Sequence, residues 1–100
     1  MVQVRENLTE LEGEITARGP HPRLAEFDDV IVRVQRAEPA EGKPDLLAPA
    51  TGQELRVAVR RDLLGGVAPG ARVRLRAART SSGEAMAEPV PAPGHFSVDE

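Results

Sequence analysis

Residues 55–79 read LRVAVRRDLLGGVAPGARVRLRAAR, and the pattern of this stretch decides the fold. Apolar and polar residues alternate from Leu55 to Arg60 and again from Ala71 to Ala77, the period of a strand with one buried and one wet face. Asp62-Leu63-Leu64-Gly65-Gly66 reads as one helical turn, capped by Asp62 and ended by glycine. Pro69-Gly70 suits a type II turn, because proline presets φ at the second position and glycine accepts the positive φ of the third. The order is therefore strand, helical turn, tight turn, strand. The same stretch holds seven of the thirteen Lys and Arg residues against a single acid, Asp62, in a chain whose net charge is −3.

Working outward, Leu11 to Arg18 (LEGEITAR) puts Leu11, Gly13, Ile15 and Ala17 on one face and charged or polar residues on the other. Gly13 inside such a pattern marks a bulge or a sharp bend. Gly19-Pro20-His21-Pro22 stops the strand, since proline has no N–H for a ladder. Arg23 to Asp29 reads as polar linker, and Val30 to Arg36 as a second strand with Val30, Val32 and Val34 inward. The excursion AEPAEGKPDLLAPATGQ over 37–53 has no sustained period, and a loop of that length is usually functional or mobile; Leu46 and Leu47 are the residues able to anchor it. Ser81-Ser82-Gly83 is a hairpin turn leading to a fifth strand over 84–90. The Pro- and Gly-rich tail over 91–100 is expected to lie along the surface, tied down through Phe96. Strands are thus expected near 11–18, 30–36, 54–61, 71–80 and 84–90 of one domain covering 1–100.

A chain of 100 residues buries roughly 60 to 65 per cent of its unfolded surface and supports one modest core. With Phe27 and Phe96 its only aromatic residues, that core must be aliphatic. The absence of cysteine removes disulfides, thiolate metal sites and thiol chemistry and suggests a reducing, cytoplasmic setting. No apolar run approaches the roughly 20 residues of a membrane helix, so no membrane partner is expected. Charge is uneven: residues 1–50 carry −4 and residues 51–100 carry +1. That balance argues against a nucleic-acid coat over the whole domain but permits a local basic footprint.

Gly13 in the first strand, the DLLGG turn at Asp62–Gly66, and Pro69-Gly70-Ala71-Arg72-Val73-Arg74-Leu75 with its G-x-x-V step (Gly70, Val73) together resemble the OB-fold. The likeness covers roughly residues 9–90 of the chain and looks similar to bacterial single-stranded-DNA-binding proteins and related small OB modules. It implies an all-β, five-stranded Greek-key barrel with one short helical turn between strands three and four. It also implies a ligand across the outer face of strands two and three, gripped by the loops after strands one and four. On this chain those positions are Arg33, Gln35, Arg56, Ala58 and Arg60 on the face, Pro20 to Arg23 in the first loop and Thr80 to Gly83, with Ser81 and Ser82, in the second. The sequence departs from that family in offering no aromatic ring for base stacking on this face.

Arg72, Arg74 and Arg76 are expected to meet Glu12 and Glu14, because strand four pairs with strand one in such a barrel. Arg33, Arg56 and Arg60, with Gln35, Arg23, Ser81 and Ser82, are then the candidate ligand contacts. His21 and His95 have no cysteine or clustered acids beside them at ligand spacing, so no metal site and no cofactor are expected. Glu26, Asp28 and Asp29 read as solvated linker. No nucleophile–base pairing or phosphate-loop frame is present. The sequence therefore points to a non-catalytic module binding single-stranded nucleic acid, with a protein-interaction or assembly role, including homo-oligomerisation, as the alternative.

Overall fold

The structure is a computed structural model describing residues 6–47 and 51–99. Residues 48–50 of the expected long loop, Glu100 of the tail and residues 1–5 lie outside the described residues. Among the described residues the order is β1 (Thr9–Pro20), β2 (Phe27–Pro39), β3 (Glu54–Arg60), α1 (Arg61–Leu64), β4 (Arg72–Arg79), β5 (Ala85–Ala87) and β6 (Ser97–Asp99). β1 pairs antiparallel with both β2 and β4, β2 with β3, and β4 with β5, while β3 and β5 run parallel. These pairings close a five-stranded barrel with a helical turn between β3 and β4, as the alternation of 55–79 predicts. No helix among the described residues is long and apolar enough to cross a membrane.

Most of the inward positions named by alternation form the core; Ala17, expected inward, is exposed, because the extra residue Thr16 reverses the alternation and turns the Arg18 side chain inward instead. Leu11, Ile15, Val30, Val32, Val57, Val59, Val73 and Leu75 are buried in one cluster, and Leu64 of α1 plugs one end of it. Ala58, read as outward-facing, is buried as well; it lies on β3 between Asp29 of β2 and Met86 of β5, where neighbouring side chains cover a methyl group. The Pro69-Gly70 turn takes the geometry expected: Ala71 N–H donates to Ala68 O at 3.3 Å and Gly70 has φ +104°. Asp62, by contrast, is not the cap of α1. The capping position is Arg60, with no side-chain cap bond, and Asp62 stands in the first turn.

Strand ends differ from the sequence reading because pairing, not alternation, sets them. β1 and β2 pair from Thr9↔Pro39 to Pro20↔Asp28, so residues 37–39 belong to β2 and not to the loop, and Phe27–Asp29 belong to β2 and not to a linker. Two irregularities bend this long hairpin. Gln35 is the extra residue opposite the Glu12/Gly13 step, and Thr16 is the extra residue opposite the Val32/Ile31 step. The described part of the excursion after β2 folds back over the barrel end. Leu8 N–H donates to Pro44 O and Ala40 N–H to Leu8 O, both at 3.1 Å, Thr9 Oγ1 donates to Asp45 Oδ1 at 2.5 Å, and Leu47 packs on the core. The tail likewise does more than lie along the surface: Phe96 packs on the core and Ser97–Asp99 add β6 to the edge of β4.

Candidate ligand-binding face

The outer face of β2 and β3 sets Ile31 opposite Arg56, Arg33 opposite Glu54, and Asp29 opposite Ala58. Arg33 and Arg56 both lie on it and are loosely held, Arg33 Nη1 3.8 Å from Glu14 and Arg56 Nη1 3.9 Å from Asp29. Each arginine of this region stands above its acid. The side chains of Arg33 and Glu14 are 53% and 39% exposed, those of Arg56 and Asp29 68% and 16%, and those of Arg36 and Glu38 60% and 46%. Long arginine stems carry their guanidinium groups outward while shorter acids sit lower in the pleat. Glu54, opposite Arg33 and exposed, keeps one carboxylate in the same outer layer.

The other candidates go elsewhere. Arg60 bends to the end of the barrel, donating to Pro89 O at 3.0 Å and pairing with Asp62. Gln35, at the bulge, lines a cavity on the β1–β4 side with Arg72 and Arg74. Ser81 and Ser82 are exposed at the tip of the β4–β5 turn, where the Ser82 and Thr80 hydroxyls are 2.9 Å apart. Arg23 crosses from the β1–β2 loop to Glu84 at 2.9 Å.

That last contact belongs to a clasp with no local signature in the sequence. His21 is buried, and its Nδ1 accepts the backbone N–H groups of Arg23 and Leu24 at 3.1 and 3.0 Å. With Nδ1 occupied as an acceptor, the neutral ring carries its proton on Nε2, which donates to Glu84 Oε1 at 2.5 Å. The β1–β2 loop is thereby tied to the residue that starts the run into β5. Ligand atoms of His21, Asp29 and Glu84 lie within 4.8 Å of one another, a grouping that spacing along the chain concealed. A metal-bound imidazole needs a lone pair on the coordinating nitrogen and usually donates from the other. Here the donor and acceptor are reversed, so the grouping is a hydrogen-bonded clasp. His21→Ala is expected to lower stability by about 1–2 kcal/mol and to speed amide exchange at residues 23–26; unchanged exchange there would show that the clasp does not hold the loop.

The expected pairing of β4 arginines with Glu12 and Glu14 needs correction. The register does place Glu12 opposite Arg74 and Glu14 opposite Arg72. Arg76, however, pairs with Glu10 and Glu41 at 3.3 and 3.1 Å, Arg74 donates to Gly94 O at 2.9 Å, and Glu14 faces Arg33 across the other edge of β1. Arg72 has no ion pair among the described residues. Arg76 thus meets its own register partner on β1, Glu10, while Glu41 and the Gly94 carbonyl, which come from loops that strand register does not show, take the rest.

No protein-family profile, curated protein or solved structure matches the chain. The class is set by architecture alone, a small closed five-stranded β-barrel of OB-like form.

Proposed function

We propose that this barrel is a non-catalytic binding module that takes single-stranded nucleic acid across the outer face of β2 and β3. The reading is supported by one observation above others: Arg33 and Arg56 are more exposed than Glu14 and Asp29, the carboxylates nearest them, so two guanidinium groups reach outward on this face of an acidic chain, with exposed Glu54 opposite Arg33 as the one acid beside them. Guanidinium groups bind phosphate and stack on bases, and Ile31 between Arg33 and Arg56 offers an apolar floor. Recessed acids and missing rings make the binding weak and salt-sensitive. Ser81, Ser82 and Arg23 at the two loops would touch the strand at its margins. The absence of cysteine suits a cytoplasmic site of action.

Fluorescence polarisation of a labelled single-stranded oligonucleotide tests this. With three or four phosphates neutralised, affinity is expected to fall about 20- to 50-fold between 50 and 200 mM salt. Arg33→Ala and Arg56→Ala should each reduce the slope of log affinity against log salt by about 0.7, and Arg60→Ala, whose guanidinium is already engaged, should leave it unchanged. No polarisation change at low salt would sink the proposal. Equal binding of poly-glutamate would favour an acidic protein partner instead.

A further inference from the structure

Each of the five barrel strands has neighbours along both edges, whereas β6 has only β4. A strand edge with free N–H and C=O groups is a template for another strand. Beside β6 lies a cavity of about 410 Å³ lined by Glu12, Gln35, Arg72, Arg74, Ser97 and Asp99, together with Gly13 and Val73. Most charged side chains of the described residues are paired within the chain. In this cavity Glu12, Gln35, Arg72, Ser97 and Asp99 make no side-chain hydrogen bond or ion pair among the described residues, and Arg74 Nε is buried without a partner.

We propose that β6 and this cavity form a self-association surface on which a second copy of the chain docks across a twofold axis. Two acids and two arginines give the surface zero net charge on a chain of −3, so two copies that repel elsewhere meet here without repulsion. A surface carrying both signs is also its own complement, as a twofold interface requires. An axis through Val98 runs the two β6 strands antiparallel and sets Ser97 of each copy opposite Asp99 of the other. Ser97 is the register partner of Arg74, so the incoming Asp99 carboxylate approaches Arg74, while Arg72 stands beside Asp99 of its own chain, and each β4–β6 pair continues into the next. Arg33 and Arg56 lie outside the lining, so the dimer keeps both ligand faces open. The inference does not depend on what those faces bind.

Sedimentation velocity of the full chain, free of nucleic acid, from micromolar to sub-millimolar concentration is the test. The mass should rise from monomer to dimer with concentration. Arg74→Glu and Asp99→Arg, each confirmed folded by circular dichroism, should each weaken the dimer by at least about tenfold, because each places like charges together twice across the interface. Mixing the two variants restores both opposite-sign contacts and should recover a heterodimer. A monomer mass throughout, a dimer indifferent to both variants, or failure of the mixture to recover association would each overturn the proposal.

Discussion

Gly13→Ala is expected to destabilise the barrel by about 3 kcal/mol and to lower its melting midpoint by about 15 °C. A Cβ at this position would lie 2.3 Å from Arg33 O and 2.7 Å from Val32 Cγ1. The first of these is a backbone atom and cannot rotate away. Retreat of β2 as a whole is opposed by the far side of the strand, where Val34 N–H donates to Gln53 O at 2.9 Å and Gly52 N–H to Val34 O at 2.7 Å. Glycine is needed here for closeness and not for a left-handed φ: the bulge that places Gln35 outside the β1–β2 register pulls the two backbones together at Gly13. Gly19, with open space around its Cα, supplies the control. Gly19→Ala should be neutral or stabilise by a few tenths of a kcal/mol, about 0.5 at most. Thermal and urea unfolding of both variants decide the point, and a Gly13→Ala midpoint within a degree or two of the parent would refute it.

Asp28→Asn is the second large effect, about 3 kcal/mol at neutral pH. Asp28 sits on the inward face at the start of β2, its side chain 8% exposed, where Arg18 Nε donates to Oδ2 and Arg61 Nε to Oδ1, each at 2.9 Å. Arg18 also donates to Val67 O at 2.7 Å, so one carboxylate joins β1, β2, α1 and the turn before β4. Neutralising it leaves Arg18 largely buried without its counter-charge. Arg61, half exposed, is better screened, so Arg61→Ala should cost less than Arg18→Ala.

The same residue gives the molecule an acid limb. Burial on its own pushes the Asp28 carboxyl up, but the hydrogen bonds from Arg18 and Arg61, with their charges, outweigh it and hold the group below its ordinary value. A carboxyl lowered in the folded state binds protons less readily there than in the unfolded chain. Its contribution is therefore complete above the unfolded value of about 3.9 and is lost as pH falls through the lower folded value. Denaturation midpoints measured from neutral pH down to below that window should fall steeply at the acid end for the parent. In Asp28→Asn that part of the fall should be missing; identical acid limbs in the two proteins would rule the mechanism out.

Strand alternation is local and was readable. Val30, Val32 and Val34, or Val57 and Val59, point inward because successive side chains on any strand take opposite faces. The Pro69-Gly70 turn and the bend at Gly13 were readable for the same reason, since each depends on the conformation or size of the residue itself. The candidate face was readable in part. Arg33 and Arg56 stand where alternation puts them, but Arg60 is drawn away by Asp62, two residues on, and by Pro89 O, and Arg23 by Glu84; the approach of Pro89 and Glu84 no local pattern announces.

The sequence by itself determined most of the inward-facing residues, where the chain turns and that a small aliphatic barrel results, because period, turn chemistry and composition act over a few residues. Only the tertiary structure decided which arginines remain outermost, that His21 meets Glu84 between the β1–β2 and β4–β5 connections, that Asp28 is a buried hub and not linker, and that the tail becomes β6 with an open edge. Each of these depends on atoms distant along the chain arriving at one place. Long side chains choose among such partners by distance and burial, which pairing and loop closure set only once the barrel has formed.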